Sequence, residues 1–310
     1  MTKLSRRFLR ALLIFPLCLS WNPQADAAKH QITYETLIGL RANPLGLGMK
    51  FTPSYQYQLY KSESPLYEKN YFGLDLSLLS SPAFTNIGMG LSIQPLSVLK
   101  LSASAHFVQY FGSFNRLQSF ARPDVKHTDD TLKANGEAGQ NYASFGTELA
   151  LGAKLQGKLG PIALVSNFQL KWYNMDLNDG DIYFYESYID GLIQNQGWCV
   201  INDTDLLYVS GFGLVAGVRY SMNNPIYSTK KLTDLGLSES PHPGNHRIGP
   251  MLAYRFYDKQ ESTGFDQPTL ILLVNWYLEH PYRAGGDTAQ SFPYIALAFK
   301  FSGDLYRAKN

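Results

Sequence analysis

Cysteine is almost missing: the chain holds 2 in 310 residues. Cys18 lies in an N-terminal leader-like stretch, which leaves Cys199 alone in the remainder of the chain and excludes an intramolecular disulfide framework there. Charge is scarce as well, at 17% of residues, against roughly 25% in ordinary soluble domains. Yet the mean hydropathy is slightly negative, -0.18. Long apolar runs are also lacking. After residue 28 none approaches the roughly 20 residues that a spanning helix needs, which excludes a helical membrane protein. There is no phosphate-binding glycine loop and no Cys/His zinc spacing, so no cofactor and no metal is expected.

The first residues read as an export signal. Lys3, Arg6, Arg7 and Arg10 precede an apolar stretch from Ala11 to Trp21, and Ala25-Asp26-Ala27 supplies small residues at a cleavage position. Residues 1–27 are therefore expected to be removed, leaving 28–310 as one domain. Four of the 27 basic residues and one of the 25 acids lie in that leader. The segment 28–310 is close to neutral, and no global basic character argues for nucleic acid.

What the chain does have is alternation. Met49, Phe51, Pro53, Tyr55, Tyr57 and Leu59 fall on one face of an extended strand, and Lys50, Thr52, Ser54, Gln56 and Gln58 on the other. The same period of two runs through 70–80, 86–94, 99–110, 143–156, 162–173, 207–221 and 269–279. It is less regular over 31–41 and 247–257, poor over 181–189, and returns over 293–301. Segments of about ten residues alternating in this way are the signature of transmembrane β-strands. Twelve such segments predict an all-β fold, a closed antiparallel transmembrane β-barrel of about 12 strands. Closure is required because an open strand edge in lipid would leave N–H and C=O groups unpaired.

Loop lengths supply a separate reading, since such barrels have short periplasmic turns and longer outer loops. The connections at 95–98 and 157–161 are tight, and the long polar excursions at 112–141 and 222–246 belong to the opposite end. Residues 190–205 break the pattern, because the strand order puts them on the periplasmic side. Trp198 and Val200 within them belong either to a further strand or to a segment folded back as a plug. Tyr55, Tyr57, Tyr60, Trp172, Tyr173, Trp276 and Tyr277 sit at strand ends, where aromatic belts meet the lipid interface.

The last strand resembles the C-terminal assembly signal of bacterial outer-membrane β-barrel proteins, through Tyr294, Ala296, Phe299 and Phe301. Alanine stands where that family has glycine, and nine residues come after Phe301. The resemblance implies location in the bacterial outer membrane, contact with its lipid, and recognition by the barrel-assembly machinery through Tyr294, Phe299 and Phe301.

Function is expected on the inward face. Strand parity turns Arg41, Lys50, Lys100, Lys154, Lys171, Arg219, Arg255 and Lys300 inward, against Glu35, Asp75, Glu148 and Glu279. A surplus of lumen bases attracts anions, as Lys/Arg rings do in anion pores. The reading from sequence is a porin-like channel for small, anionic solutes. The alternatives are a closed structural or adhesive barrel, and a lipid-modifying hydrolase using Ser104 and His106, which share a face. Against the hydrolase, the pair faces the lumen rather than lipid, and no same-strand Asn or Asp is spaced to orient the imidazole. His242 and His246 have metal-like spacing in a Pro- and Gly-containing loop that cannot be a regular helix. Asp176, Asp179 and Asp181 lie in strong turn chemistry without the closing glutamate of an EF-hand loop.

Overall fold

In the computed structural model the described residues are 30–242, 244–258, 265–284 and 292–307. The signal peptide expected over 1–27 lies outside them. Twelve strands hydrogen-bond edge to edge into a closed antiparallel barrel. The wall begins with β1 (His30–Ala42), β2 (Gly46–Tyr57), β3 (Tyr71–Ser80), β4 (Phe84–Leu96) and β5 (Leu99–Phe111). A short strand, β6 (Ser119–Phe120), and helix α1 (Asp129–Glu137) intervene before β7 (Ala143–Leu159) and β8 (Ile162–Met175). The hairpin of β9 (Tyr183–Glu186) and β10 (Gly191–Gln194) then leaves the wall, which resumes with β11 (Gly197–Val209) and β12 (Leu214–Ile226). Helix α2 (Thr229–Asp234), β13 (Asn245–Arg255), β14 (Asp266–Glu279) and β15 (Tyr294–Arg307) complete the chain, and β15 pairs with β1 to close the barrel.

The alternation decides which face meets lipid. Leu40 at 54%, Met89 at 68% and Leu151 at 51% are exposed on the outside, a cost in water that only a lipid surround removes. Partners across the ladder share that face: Leu74 opposes Leu91, Leu76 opposes Met89, and Leu164 opposes Leu206. Trp172, Trp198 and Trp276 ring one end, and Tyr57, Tyr208, Tyr254 and Tyr306 close the strands at the other. This is the outer surface of an outer-membrane barrel. Tyr173 and Tyr277, expected in the belt, instead point inward: Tyr173 is buried, and the Tyr277 hydroxyl donates to the Asn43 carbonyl at 2.7 Å.

The longest connections gather at one end, although that end also holds the short turns 43–45 and 81–83, and the opposite end holds 58–70. The turns at 97–98, 160–161 and 210–213 share one end, the periplasmic one by length. Gly160 adopts φ 59 in the tightest of these, a conformation that favours glycine. The excursions at 112–142, 176–196 and 227–244 share the outer end.

Two sequence expectations change. The wall strand after β8 is 197–209, not 181–189, so the count of twelve stands with one member exchanged. Residues 176–196 lie at the outer end, which removes the exception to the loop rule. The expected loop 222–246 shortens to 227–244, because β12 runs to Ile226 and β13 begins at Asn245.

The hairpin 183–194 descends into the barrel. Phe184, Ile189 and Ile193 form one core with Val108 and Tyr110 of β5, Tyr173 and Met175 of β8, and Cys199 and Ile201 of β11. A strand buried on both faces has no solvent-facing side, which is why 183–186 does not alternate. On its other side the hairpin pairs with β6 and is covered by Leu132 of α1, packed on Tyr185 and Leu192. Thr128 caps that helix, accepting from the Thr131 N–H at 3.1 Å. The lumen therefore changes character along its axis, filled by the hairpin towards the outside, polar and open below.

Candidate functional site: the polar lumen beneath an inserted hairpin

Beneath the hairpin lies a cavity of about 540 Å³. Its wall carries Lys50, Lys100 and Lys154, the acids Glu35, Asp75, Asp266 and Asp304, and Gln56, Gln94, Gln156 and Gln169. The alternating strands make this wall polar because every second residue of β2, β5 and β7 faces inward.

The eight bases expected in the lumen have different partners. Lys171 meets Glu148 at 2.9 Å, Lys300 meets Glu35 at 2.6 Å, and Lys100 stands 3.9 Å from Asp75. Arg219 forms a two-pronged pair with Asp205 at 2.6 and 2.7 Å. Arg41 donates to the Ser187 and Tyr188 carbonyls at the hairpin tip. Arg255 turns to Asp258 at 3.0 Å on the periplasmic rim, away from the cavity. Lys50 and Lys154 face the cavity with no ion pair within 4 Å among the described residues.

The expected surplus of positive charge is mostly cancelled. Asp203 and Asp205 face inward on β11, a strand that sequence alternation does not place in the wall, and Asp203 accepts from Ser221 at 2.5 Å. Asp266 and Asp304 line the cavity floor. Glu279 does not face the lumen cations; it lies 3.8 Å from His246, which also meets the Tyr220 hydroxyl at 2.6 Å and Asn224 Oδ1 at 3.1 Å.

The hairpin tip is fixed by a buried charge cluster. The Asp190 carboxylate accepts from Arg283 Nε at 2.7 Å and Nη2 at 3.1 Å, and from the Tyr185 hydroxyl at 2.7 Å. His280 Nε2 lies 3.1 Å from the same carboxylate. Arg283 also reaches Asp129 of α1 at 2.8 and 2.9 Å. Arg283 Nη1 also donates to Asn43 Oδ1 at 2.5 Å, so one guanidinium ties four outer loops together, its own included. Asn223 and Asn245 donate to the Ile189 carbonyl at 3.2 and 2.8 Å. Burial pushes the Asp190 carboxyl up, but the His280 hydrogen bond and the Arg283 charge outweigh it, holding the group well below the usual carboxylate range.

Above this cluster His127 packs edge-on against His242 and Tyr282, each at 4.7 Å between ring centres. Burial, then repulsion from His242, pushes His127 down to about 3. Burial lowers His242 as well. His242 and His246 do not converge, and no cluster of three or more metal-ligating side chains occurs among the described residues.

Ser104 and His106 do meet. The hydroxyl lies 2.8 Å from His106 Nε2, and His106 Nδ1 lies 2.7 Å from Asn86 Oδ1. Asn86 Nδ2 donates to Glu148 at 3.3 Å. The orienting residue missing from the strand of the pair is therefore on its neighbour β4. The register sets Gly88 opposite His106 and Gly90 opposite Ser104. A Cβ at Gly88 would stand 2.2 Å from the imidazole, so the glycine makes room for the ring. The Gly88-x-Gly90 spacing after Asn86 is the only sequence mark of this arrangement.

The C-terminal aromatics divide by face. Phe299 and Phe301 lie on the lipid side with Tyr34, whereas Tyr294 turns inward beneath the Arg247 guanidinium, 4.2 Å from ring centre to guanidinium carbon.

Compared with known proteins, the chain matches no protein-family model and no curated protein. Among solved structures it is similar to KdgM porin in complex with disordered oligogalacturonate, with 6% identity over 88% of this chain and 99% of that one, and a TM-score of 0.37. The β domain of the Bordetella autotransporter BrkA gives 10% identity, 90% and 99% coverage and a TM-score of 0.38. OccAB1 of Acinetobacter baumannii gives 10%, 91%, 97% and 0.38. At such low scores nothing about pore, cargo or activity carries over to this chain.

Proposed function

We propose that the protein is a gated outer-membrane channel whose polar lower lumen binds small anionic solutes. The hairpin 183–194 is its gate, and Lys50 and Lys154 are the lumen cations that meet the solute. The observation that carries this reading is the combination of a charged cavity of about 540 Å³ with an obstruction held by side-chain contacts. A barrel wall is fixed by its ladder of backbone hydrogen bonds, whereas an inserted loop can leave without breaking that ladder. Lys171, Arg219, Lys100 and Lys300 are neutralised by their carboxylate partners and hold wall geometry, and Arg41 grips the hairpin. Arg255 guards only the periplasmic rim. The assembly role proposed for the last strand falls to Phe299 and Phe301, which stand on the outer face, and to Tyr294 through its place in the same strand.

The test is single-channel recording of the refolded full chain in a planar bilayer under a salt gradient. Discrete openings with anion selectivity that weakens in K50Q/K154Q support the channel. An inserted protein that stays silent both as wild type and with residues 181–194 replaced by a short glycine-serine link removes it.

A further inference from the structure

We infer that Ser104, His106 and Asn86 form a nucleophilic site inside the barrel, able to hydrolyse a small water-soluble carboxylic ester that enters the lower lumen. Proton placement decides the matter. A carboxylate only accepts hydrogen bonds, so Glu148, held by Lys171 at 2.9 Å, requires the amide nitrogen of Asn86 to face it. The Asn86 oxygen must then face His106, and an oxygen at 2.7 Å from Nδ1 requires the proton on that nitrogen. Nε2 is left with a free lone pair, 2.8 Å from the Ser104 hydroxyl. The chain Lys171–Glu148–Asn86–His106–Ser104 therefore selects the one imidazole tautomer that accepts a proton from serine. A nucleophile, a base within hydrogen-bond reach and a third group orienting the base are what acyl transfer requires.

Position fixes the substrate class. Ser104 faces inward on β5, one step above Ser102 and two above Lys100, both of which line the cavity. Bilayer lipid cannot reach that face through a closed wall. A molecule entering from below meets glutamines, serines, lysines and carboxylates, which suits a hydroxylated ester and not an acyl chain. The Ser104 oxygen would attack the ester carbonyl carbon while His106 Nε2 takes its proton. The carbon–oxygen bond to the alcohol then breaks, and His106 returns the proton to the departing oxygen. Water, deprotonated by the same nitrogen, attacks the acyl carbon; the bond from that carbon to Ser104 Oγ then breaks, His106 returns the proton to Oγ, and the acid leaves. Ser104 and His106 are the catalytic residues, and Asn86 and Glu148 are positioning residues.

The experiment uses the full chain folded in detergent micelles, with a fluorophosphonate probe and p-nitrophenyl acetate. The expected results are a phosphonyl adduct mapped to Ser104 and ester turnover above the protein-free rate, both absent in S104A. N86A should lower kcat by up to about 10⁴-fold at unchanged KM, the size of loss that a wrong tautomer causes in serine triads. Heat-modifiable migration on gels verifies that each variant is folded. An unlabelled Ser104 in folded wild type overturns the inference, as does turnover that survives S104A. Neither result depends on whether the barrel conducts.

Discussion

Replacing Asp190 by alanine tests the gate directly. The Asp190 and Arg283 side chains are each 2% exposed. The substitution removes one member of that pair and leaves the guanidinium in the interior. Stranding a buried charge in this way costs about 3–5 kcal/mol. Asp129, 40% exposed, still pairs with Arg283 and offsets part of the loss, so the lower end applies. The Tyr185 hydroxyl and His280 lose their acceptor at the same time. A shift of about 3 kcal/mol against the closed state changes the closed-to-open ratio by roughly 100-fold, since each 1.4 kcal/mol is tenfold. In the proposed gating the hairpin leaves the lumen, so the whole change appears as shorter closed dwell times and as protease cleavage within 176–196. The companion D190A/R283M removes both buried charges, and closure should largely return because the carboxylate left unpaired, Asp129, is 40% exposed. Bilayer recording of inserted D190A decides the matter. Wild-type dwell times together with a protease-resistant hairpin would refute the claim that this pair holds the gate.

Further outcomes are expected from the same geometry. Phe184 is 1% exposed in the hairpin core and meets Tyr173 edge-on, so F184A should weaken hairpin docking by about 3–5 kcal/mol while gel migration of the barrel stays unchanged. His127 is neutral when the outer loops are closed and titrates near 6.5 once released, so closure is fully supported above that value and weakens as pH falls towards about 3. Between pH 7 and 5 the closed state should lose about 2 kcal/mol, at roughly 1.4 kcal/mol per unit below 6.5. His242 acts in the same direction, and Asp190 stays ionised throughout that range, so open probability measured against pH should rise on acidification and rise less steeply in H127F. Reversal potentials should move towards cation preference in K50Q/K154Q and stay put in R255Q, whose parent side chain is paired at the rim.

Alternation made the barrel legible, because a strand with one face in lipid and one in a polar lumen leaves no freedom of register. Where a face departs from those two environments, the signal vanishes. Strand β11 is the clearest case. Its inward Cys199 and Ile201 are apolar because they pack on the hairpin, not on water. Its outward Asn202 and Thr204 are polar, yet they satisfy each other at 2.8 Å and meet Ser166 of β8 at 3.0 Å. Both faces invert the expected polarity over the same few residues, so alternation alone does not mark 197–209 as a wall strand, and Asp203 and Asp205 fall outside the lumen charge that alternation assigns.

The candidate site fails to read for a different reason. Ser104 and His106 are two apart and announce a shared face, but what makes them chemically competent lies on other strands. Asn86 sits 20 residues earlier and Glu148 comes from β7. Only the pairing register, Gly88 against His106 against Glu148, brings the three strands to one level. Register depends on every turn and bulge before it, including the irregularity between Ile93 and Leu96 at the base of β4. A one-residue slip between β4 and β5 would send Asn86 to the lipid face and leave the imidazole unoriented. A wall of ordinary lumen residues can hold a defined proton path for the same reason. The backbone ladder fixes strand height to within a fraction of a residue, and side chains converging at one height inherit that precision.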